Sequence, residues 1–269
     1  MTDAADQAGR GHTTASGINA TAVGDGPDLV LLHSLLTNRG VWHRVVPTLA
    51  RSRRVWLVDL PGYDGSAKAP PDIGVYADRI VGFLDDRNLP TDTAVIGNGL
   101  GAAVALALAV RHGERFDRLV LAGAAAQFPA GSKQAFATMA ERARADGMAA
   151  VVDVAVRRIF SDDYLAHHPD ALEERRTVLL RADPDAFATA CTALQAMDLR
   201  SELAGVANPT LVIVGDEDRA TPPEQARELA AGIPDAQLVV MPRCAHAPQL
   251  QHPQSFLDTV GAFLGLHIA

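Results

Sequence analysis

The sequence predicts an α/β protein: a mostly parallel, doubly wound sheet with an all-helical block set between its two halves. Two observations predict it. Short, continuously apolar runs recur along the chain, each closed by turn-forming residues, as expected of parallel strands covered on both faces. Segments of helical period alternate with those runs, which is the pattern of a doubly wound sheet. The alternation lapses from about residue 132 to 203, where each segment has helical period, and returns at Leu211. The expected division is a core of residues 18–129 and 204–269, a helical cap of residues 130–203 and an N-terminal tail of residues 1–17.

The elements follow in order. Residues 18–23 predict a short strand, stopped by the turn signal Gly24-Asp25-Gly26-Pro27. Leu29-Val30-Leu31-Leu32 predicts the first core strand, ending at His33-Ser34-Leu35-Leu36. Residues 41–49 have helical spacing, with Trp42, Val45, Val46 and Leu49 on one side. Val55-Trp56-Leu57-Val58 predicts the next buried strand, closed by a loop from Asp59 to Ser66 that holds two glycines and a proline. A helix over 76–84, a strand over 93–96, a helix over 100–112 and a strand over 119–121 complete the first half. In the helical block the segments are 135–144, 148–160, 171–181 and 184–197. Strands at 211–214 and 237–241, with helices at 223–231 and 255–264, make the second half.

The chain has 269 residues, 48% hydrophobic, enough for one large core. A net charge of −8 and a pI near 5.5, with no Lys/Arg run, argue against a nucleic-acid surface and for a small-molecule substrate. The first 17 residues are polar and lack an apolar signal core, and no stretch has the length and apolarity of a membrane span. A soluble, cytoplasmic protein is therefore expected, of open oligomeric state. Cys191 and Cys244 are too few and too far apart for a disulfide framework or a zinc site and read as buried small hydrophobes. No cofactor or metal is expected.

The chemistry centres on Ala94-Val95-Ile96-Gly97-Asn98-Gly99-Leu100-Gly101, a strand that breaks into glycines and resumes as an alanine-rich helix. Glycines at 97, 99 and 101 have the spacing of the nucleophile elbow Gly-x-Ser-x-Gly, but the central residue is Gly99. Asp218, in Gly215-Asp216-Glu217-Asp218, and then His246 follow in the chain, each beyond a predicted strand. Nucleophile, acid, histidine is the order of the α/β-hydrolases, and a histidine base needs an acid to fix its tautomer. Asp218 is favoured for that acid, with Asp216 as the alternative. The backbone amides of Leu100 and of Leu35 or Ser34 are the candidate oxyanion donors, which no side-chain loss removes.

The segments His33-Ser34-Leu35-Leu36-Thr37, Asp59-Leu60-Pro61-Gly62, Gly97 to Gly101, Gly215 to Pro223 and His246 together resemble the α/β-hydrolase superfamily from about residue 18 onward. Residues 147–160, Ala190 to Arg200 and Asp218 to Pro223 resemble its 3-oxoadipate enol-lactonase branch. The resemblance implies the α/β-hydrolase fold with a helical cap over small polar substrates. Gly99 departs from the family pattern, because glycine has no atom to attack a carbonyl. Three readings stay open. Water could occupy the space of the lost side chain, with His246 as its general base, a natural arrangement paralleled by superfamily members with alanine there. The site could serve a lyase, cyclase or cofactor-free oxygenase. Or Gly99 could mark an engineered, inactive hydrolase or a non-catalytic binder.

Other residues have plainer readings beside the functional ones. Ser34 reads as a loop serine bonded to backbone rather than a replacement nucleophile, since no elbow presents it. Arg157 and Arg158 could clamp a substrate carboxylate or form a solvated helix face. His167-His168 lacks the further ligands of a metal site. His33 reads as structural. Asn98 is expected to pack or bond beneath the turn. Trp42, Phe128, Phe160 and Tyr164 could line the pocket, although core packing explains each.

Overall fold

The structure, a computed structural model, describes residues 15–266. The expected tail falls largely outside the described residues. Its last part is tied down, because the Ser16 amide donates to the Asp86 carboxylate at 2.7 Å and the Ser16 carbonyl accepts from Arg79 at 2.8 Å.

Seven strands form one sheet: β1 (Ala20–Val23), β2 (Asp28–Leu32), β3 (Arg54–Val58), β4 (Ala94–Asn98), β5 (Arg118–Ala122), β6 (Thr210–Gly215) and β7 (Ala236–Met241). Their spatial order is β1-β3-β2-β4-β5-β6-β7, with β1 antiparallel to β3 and the other pairs parallel. β2, β4 and β6 are buried at every position, which accounts for their unbroken apolar runs. A parallel sheet places the carboxyl ends of β2 and β4 to β7 along one rim, where loops converge.

The helices are α1 (Val46–Leu49), α2 (Ile73–Asp86), α3 (Leu100–His112), α4 (Ala130–Asp146), α5 (Ala149–Val156), α6 (Asp162–His167), α7 (Asp170–Leu180), α8 (Pro184–Ala196), α9 (Pro223–Gly232), α10 (Pro248–Gln251) and α11 (Pro253–Leu264). The helix expected over 41–49 is instead a 3-10 turn, Arg39–Trp42, followed by the single turn α1. Pro47 has no N–H to donate, so it is accepted only in the first turn of a new helix. α2 starts before the expected position because Asp72 caps it, accepting from the Gly74 and Val75 amides. The helix expected to reach residue 160 stops at Val156, and α6 restarts on a Ser161 cap.

Helices α4 to α8 intervene between β5 and β6. The long α4 packs along α8, and α5 packs on α4 and α7. At the root of this block an isolated antiparallel bridge joins Gln127 to Asp198, and the Leu199 amide donates to Ala126 at 2.9 Å. Both cysteines are free and buried. Among the described residues no helix is long and apolar enough to cross a membrane, and no His/Cys/Asp/Glu group could hold a metal ion.

At the amino ends of the strands, Asp28 is buried and accepts from Arg54 at 2.6 and 2.7 Å and from the Trp56 indole at 2.7 Å. Burial pushes its carboxyl up, but the Arg54 and Trp56 hydrogen bonds outweigh burial and hold it below the ordinary aspartate range. Asp28→Ala should therefore cost about 2 kcal/mol by urea denaturation, chiefly by stranding the Trp56 N–H. Because the folded-state value is the lower one, this stabilisation is present in full above pH 3.8 and lost as pH falls below it. The difference between wild type and Asp28→Ala should shrink in acid.

Candidate active site

The elbow lies between β4 and α3. Gly99 has φ +55° and ψ −112°, a conformation that costs a residue with a side chain roughly 1–3 kcal/mol. Strand and helix approach so closely that a Cβ on Gly97 would run into the Gly101 backbone and one on Gly101 into the Leu32 backbone. The spacing of those two glycines is thus required by packing, whatever residue 99 does.

Two loops bring the acid and base to this point. His246 follows β7 and is nearly buried, and its Nδ1 lies 2.9 Å from Asp218 Oδ2, in the loop after β6. The Asp218 carboxylate also accepts from the Ala220 amide at 2.8 Å, the Thr221 amide at 3.0 Å and the Thr221 hydroxyl at 2.8 Å. Burial alone would raise its pKa, but the His246 ring and these donors prevail and hold it low, so the carboxylate stays ionised at neutral pH. With Nδ1–H directed at Asp218, Nε2 of neutral His246 is the free basic nitrogen. Asp216, the alternative acid, instead accepts from the Cys244 amide at 3.2 Å and braces the histidine loop.

Asn98 ties that loop to the elbow. Its side-chain amide donates to the His246 carbonyl at 2.9 Å and to the Ala122 carbonyl at 3.1 Å, and its oxygen accepts from Gln249 at 3.0 Å. Sequence reasoning placed Asn98 beneath the turn without its partners, and it missed Gln249 and Thr221. The signal for Thr221 was its place three residues after Asp218, where a hydroxyl can reach back to an aspartate.

His246 Nε2 faces Gly99, 2.8 Å from where a Cβ on that residue would sit. Of the candidate oxyanion donors, the Ser34 amide is already used, donating to Thr37 Oγ1 at 3.1 Å. The Leu35 and Leu100 amides make no backbone hydrogen bond among the described residues, and both residues border the same cleft. His33 is a fixed part of the frame. Its Nε2 accepts from the Leu60 amide at 3.1 Å, so Nδ1 donates to the Ser34 carbonyl at 2.9 Å, and burial holds the ring pKa down to about 4.

The cleft above the elbow has a free volume of about 50 Å³ and lies between the sheet rim and the helical block. Its walls are mainly apolar, with Leu35, Leu36 and Leu100 below and Phe128, Phe136, Met139 and Leu194 above; Ser132 and Arg158 add polar atoms. Phe128 and Arg158 are therefore placed at the cleft, and other expected lining residues are not. Trp42 is fully buried against Phe256, because the turn that carries it packs into the core. Phe160 stacks on Tyr164 at 5.0 Å, and Arg157, just past the end of α5, is exposed to solvent. Ser34 also differs from expectation: its main chain is bonded, but no hydrogen bond engages its hydroxyl among the described residues.

Known proteins share this fold. A family model described as alpha/beta hydrolase fold matches residues 27–253. A pimeloyl-[acyl-carrier protein] methyl ester esterase from Nitrosomonas europaea is 33% identical over 91% of this chain and 98% of its own. The 3-oxoadipate enol-lactonase 2 of Acinetobacter baylyi is 26% identical, over 89% of each chain. The crystal structure of the enol-lactonase from Burkholderia xenovorans LB400 superposes with a TM-score of 0.89 at 30% identity, covering 95% of this chain and 100% of that one.

The orientation of His246 generates a structural prediction. In wild type, nitrogen NMR of the neutral ring should show Nδ1 protonated. Asp218→Asn should shift the population toward the other tautomer without unfolding the protein, whereas Asp216→Asn should leave the tautomer unchanged.

Proposed function

The chain belongs to the α/β-hydrolase fold family, and from that premise we propose that it hydrolyses small esters or lactones by a mechanism in which the elbow residue supplies no nucleophile. The observation that carries the proposal is His246: its Nδ1 is engaged by ionised Asp218 and its Nε2 is directed at the elbow beneath the cleft. In this reading Nε2 takes the proton of the attacking O–H, and the Leu35 and Leu100 amides hold the oxygen that becomes anionic as the carbonyl carbon turns tetrahedral. Each such amide is worth about 2.7 to 4 kcal/mol of barrier, so the hole remains a large catalytic asset without an elbow serine. On collapse, the same Nε2–H protonates the leaving oxygen.

The substrate class follows from the relatives and from the cleft. Relatives named for a methyl ester and an enol-lactone favour an acyl–oxygen bond as the bond that is cleaved. Mostly apolar walls suit a short hydrocarbon acyl part. Arg158 is half-buried at the cleft and forms no ion pair among the described residues, which suits the recognition of a remote carboxylate. Residues 130–203 act in this reading as the cap that closes over that end of the substrate.

Short-chain esters and lactones, with and without a terminal carboxylate, test the proposal directly. His246→Ala should lower kcat/KM at least a thousandfold. Turnover in ¹⁸O-water should place one heavy oxygen in the product carboxylate, and a product without it would favour a non-hydrolytic reaction. For the carboxylate-bearing substrates Arg158→Ala should raise KM about tenfold, equivalent to about 1.4 kcal/mol, with kcat little changed. Arg157→Ala should change neither.

A further inference from the structure

The point that the Cβ of an elbow side chain would occupy is reached from a second strand. β2 and β4 are parallel neighbours paired Leu32 to Gly97. Carried two residues beyond that last pair, this register sets Ser34 opposite Gly99. A Cβ on Gly99 would lie 3.0 Å from Ser34 Cβ, in steric conflict with Ser34 Oγ, and 2.8 Å from His246 Nε2. Ser34 Oγ and His246 Nε2 thus both lie within 3.0 Å of the same point. The Ser34 hydroxyl thus borders the space that the missing side chain leaves open to the cleft.

The main chain of Ser34 is fixed and its hydroxyl is not. The amide donates to Thr37 Oγ1 at 3.1 Å, and the carbonyl accepts from that same hydroxyl at 3.1 Å and from His33 Nδ1 at 2.9 Å. Among the described residues nothing bonds Oγ, although Ser34 is only 3% exposed, and no hydrogen bond engages His246 Nε2. A hydroxyl and a basic nitrogen that approach one point, each without a hydrogen bond among the described residues, next to two unused amides, are the parts of an activated nucleophile.

We propose that Ser34 is the nucleophile of this site, a role moved from the elbow to the loop after β2. This deepens the proposed function and rests on its assignment of His246 as base. Ser34 Oγ attacks the carbonyl carbon while its proton passes to His246 Nε2. The C=O electron pair moves onto the oxygen between the Leu35 and Leu100 amides. That pair returns as the acyl–oxygen bond breaks, and the leaving oxygen takes the proton from Nε2, which leaves an ester on Ser34. Water then attacks this ester and gives its proton to Nε2. Collapse frees the carboxylic acid and returns the proton to Ser34. Gly99 is the complement of this arrangement, because any side chain there would displace the Ser34 hydroxyl.

A fluorophosphonate probe and p-nitrophenyl acetate provide the test. The full-length protein should gain the mass of one phosphonyl group, mapped by peptide sequencing to Ser34, and His246→Ala should abolish that labelling. Ser34→Ala should lose labelling and at least a hundredfold in kcat, whereas Ser34→Cys should still form a covalent acyl adduct. Gly99→Ala, with Ser34 intact, should lower the labelling rate at least tenfold by pushing the hydroxyl aside. No label on Ser34, with His246→Ala inactive, overturns the nucleophile and leaves the base standing, so that water is attacked directly. Labelling or turnover that survives His246→Ala overturns the functional reading itself.

Discussion

The site depends on how closely β4 and α3 approach. Gly97 and Gly101 leave no room for a Cβ between strand end and helix start, and Gly101 also presses on the backbone of β2. That contact sets three things at once. It opens α3 at Leu100 so that its first amide faces the cleft, it forces residue 99 to positive φ, and it brings the loops after β2 and β4 within side-chain reach. A larger residue at 97 or 101 would spread these elements and separate the amides from the base. In the proposed mechanism the glycine frame is therefore required by the oxyanion hole as much as by a nucleophile.

Electrostatics enter through the loops and depend on that frame. Asp218 is buried, where an isolated carboxylate would take up a proton rather than stay charged. Two amides and a hydroxyl from its own loop offset much of the desolvation, and the His246 N–H adds a fourth donor. His246 is held from both ends: Asp218 orients the ring and Asn98 fixes the main chain through the His246 carbonyl. Asn98 belongs to the elbow strand, so the position of His246 is coupled to the elbow.

Much of this was legible in the sequence because it is local. Glycines at 97, 99 and 101, apolar runs at the strands and the Asp218 to His246 chain order need only short windows to be seen. The errors came where the outcome depends on distant partners. Trp42 shares a helical stripe with Val45 and Val46, but its ring goes to Phe256, which only the folded chain brings near. α6 and α10 are too short for a period of 3.6 to declare itself. Ser34 looked like an ordinary loop serine because its setting comes from the pairing of β2 with β4, more than sixty positions away in sequence.

In the proposed mechanism that pairing lets the site use its base and its oxyanion hole with glycine at the elbow. Adjacent parallel strands lie about 4.8 Å apart, and a serine hydroxyl reaches about half that distance from its own backbone. Residues at matching register just beyond two neighbouring strands therefore compete for one small volume, and only one can fill it. With a side chain at 99, the volume belongs to β4 and residue 34 must turn away; with glycine there, it is open to β2. In the proposed mechanism His246 can serve an oxygen from either strand, because the loop after β7 carries it and Asp218 and Asn98 hold it. In the proposed mechanism Gly99 transfers the reactive position to its neighbour in the sheet, where the Ser34 hydroxyl, without a hydrogen-bond partner among the described residues, lies against the space a Cβ on residue 99 would fill.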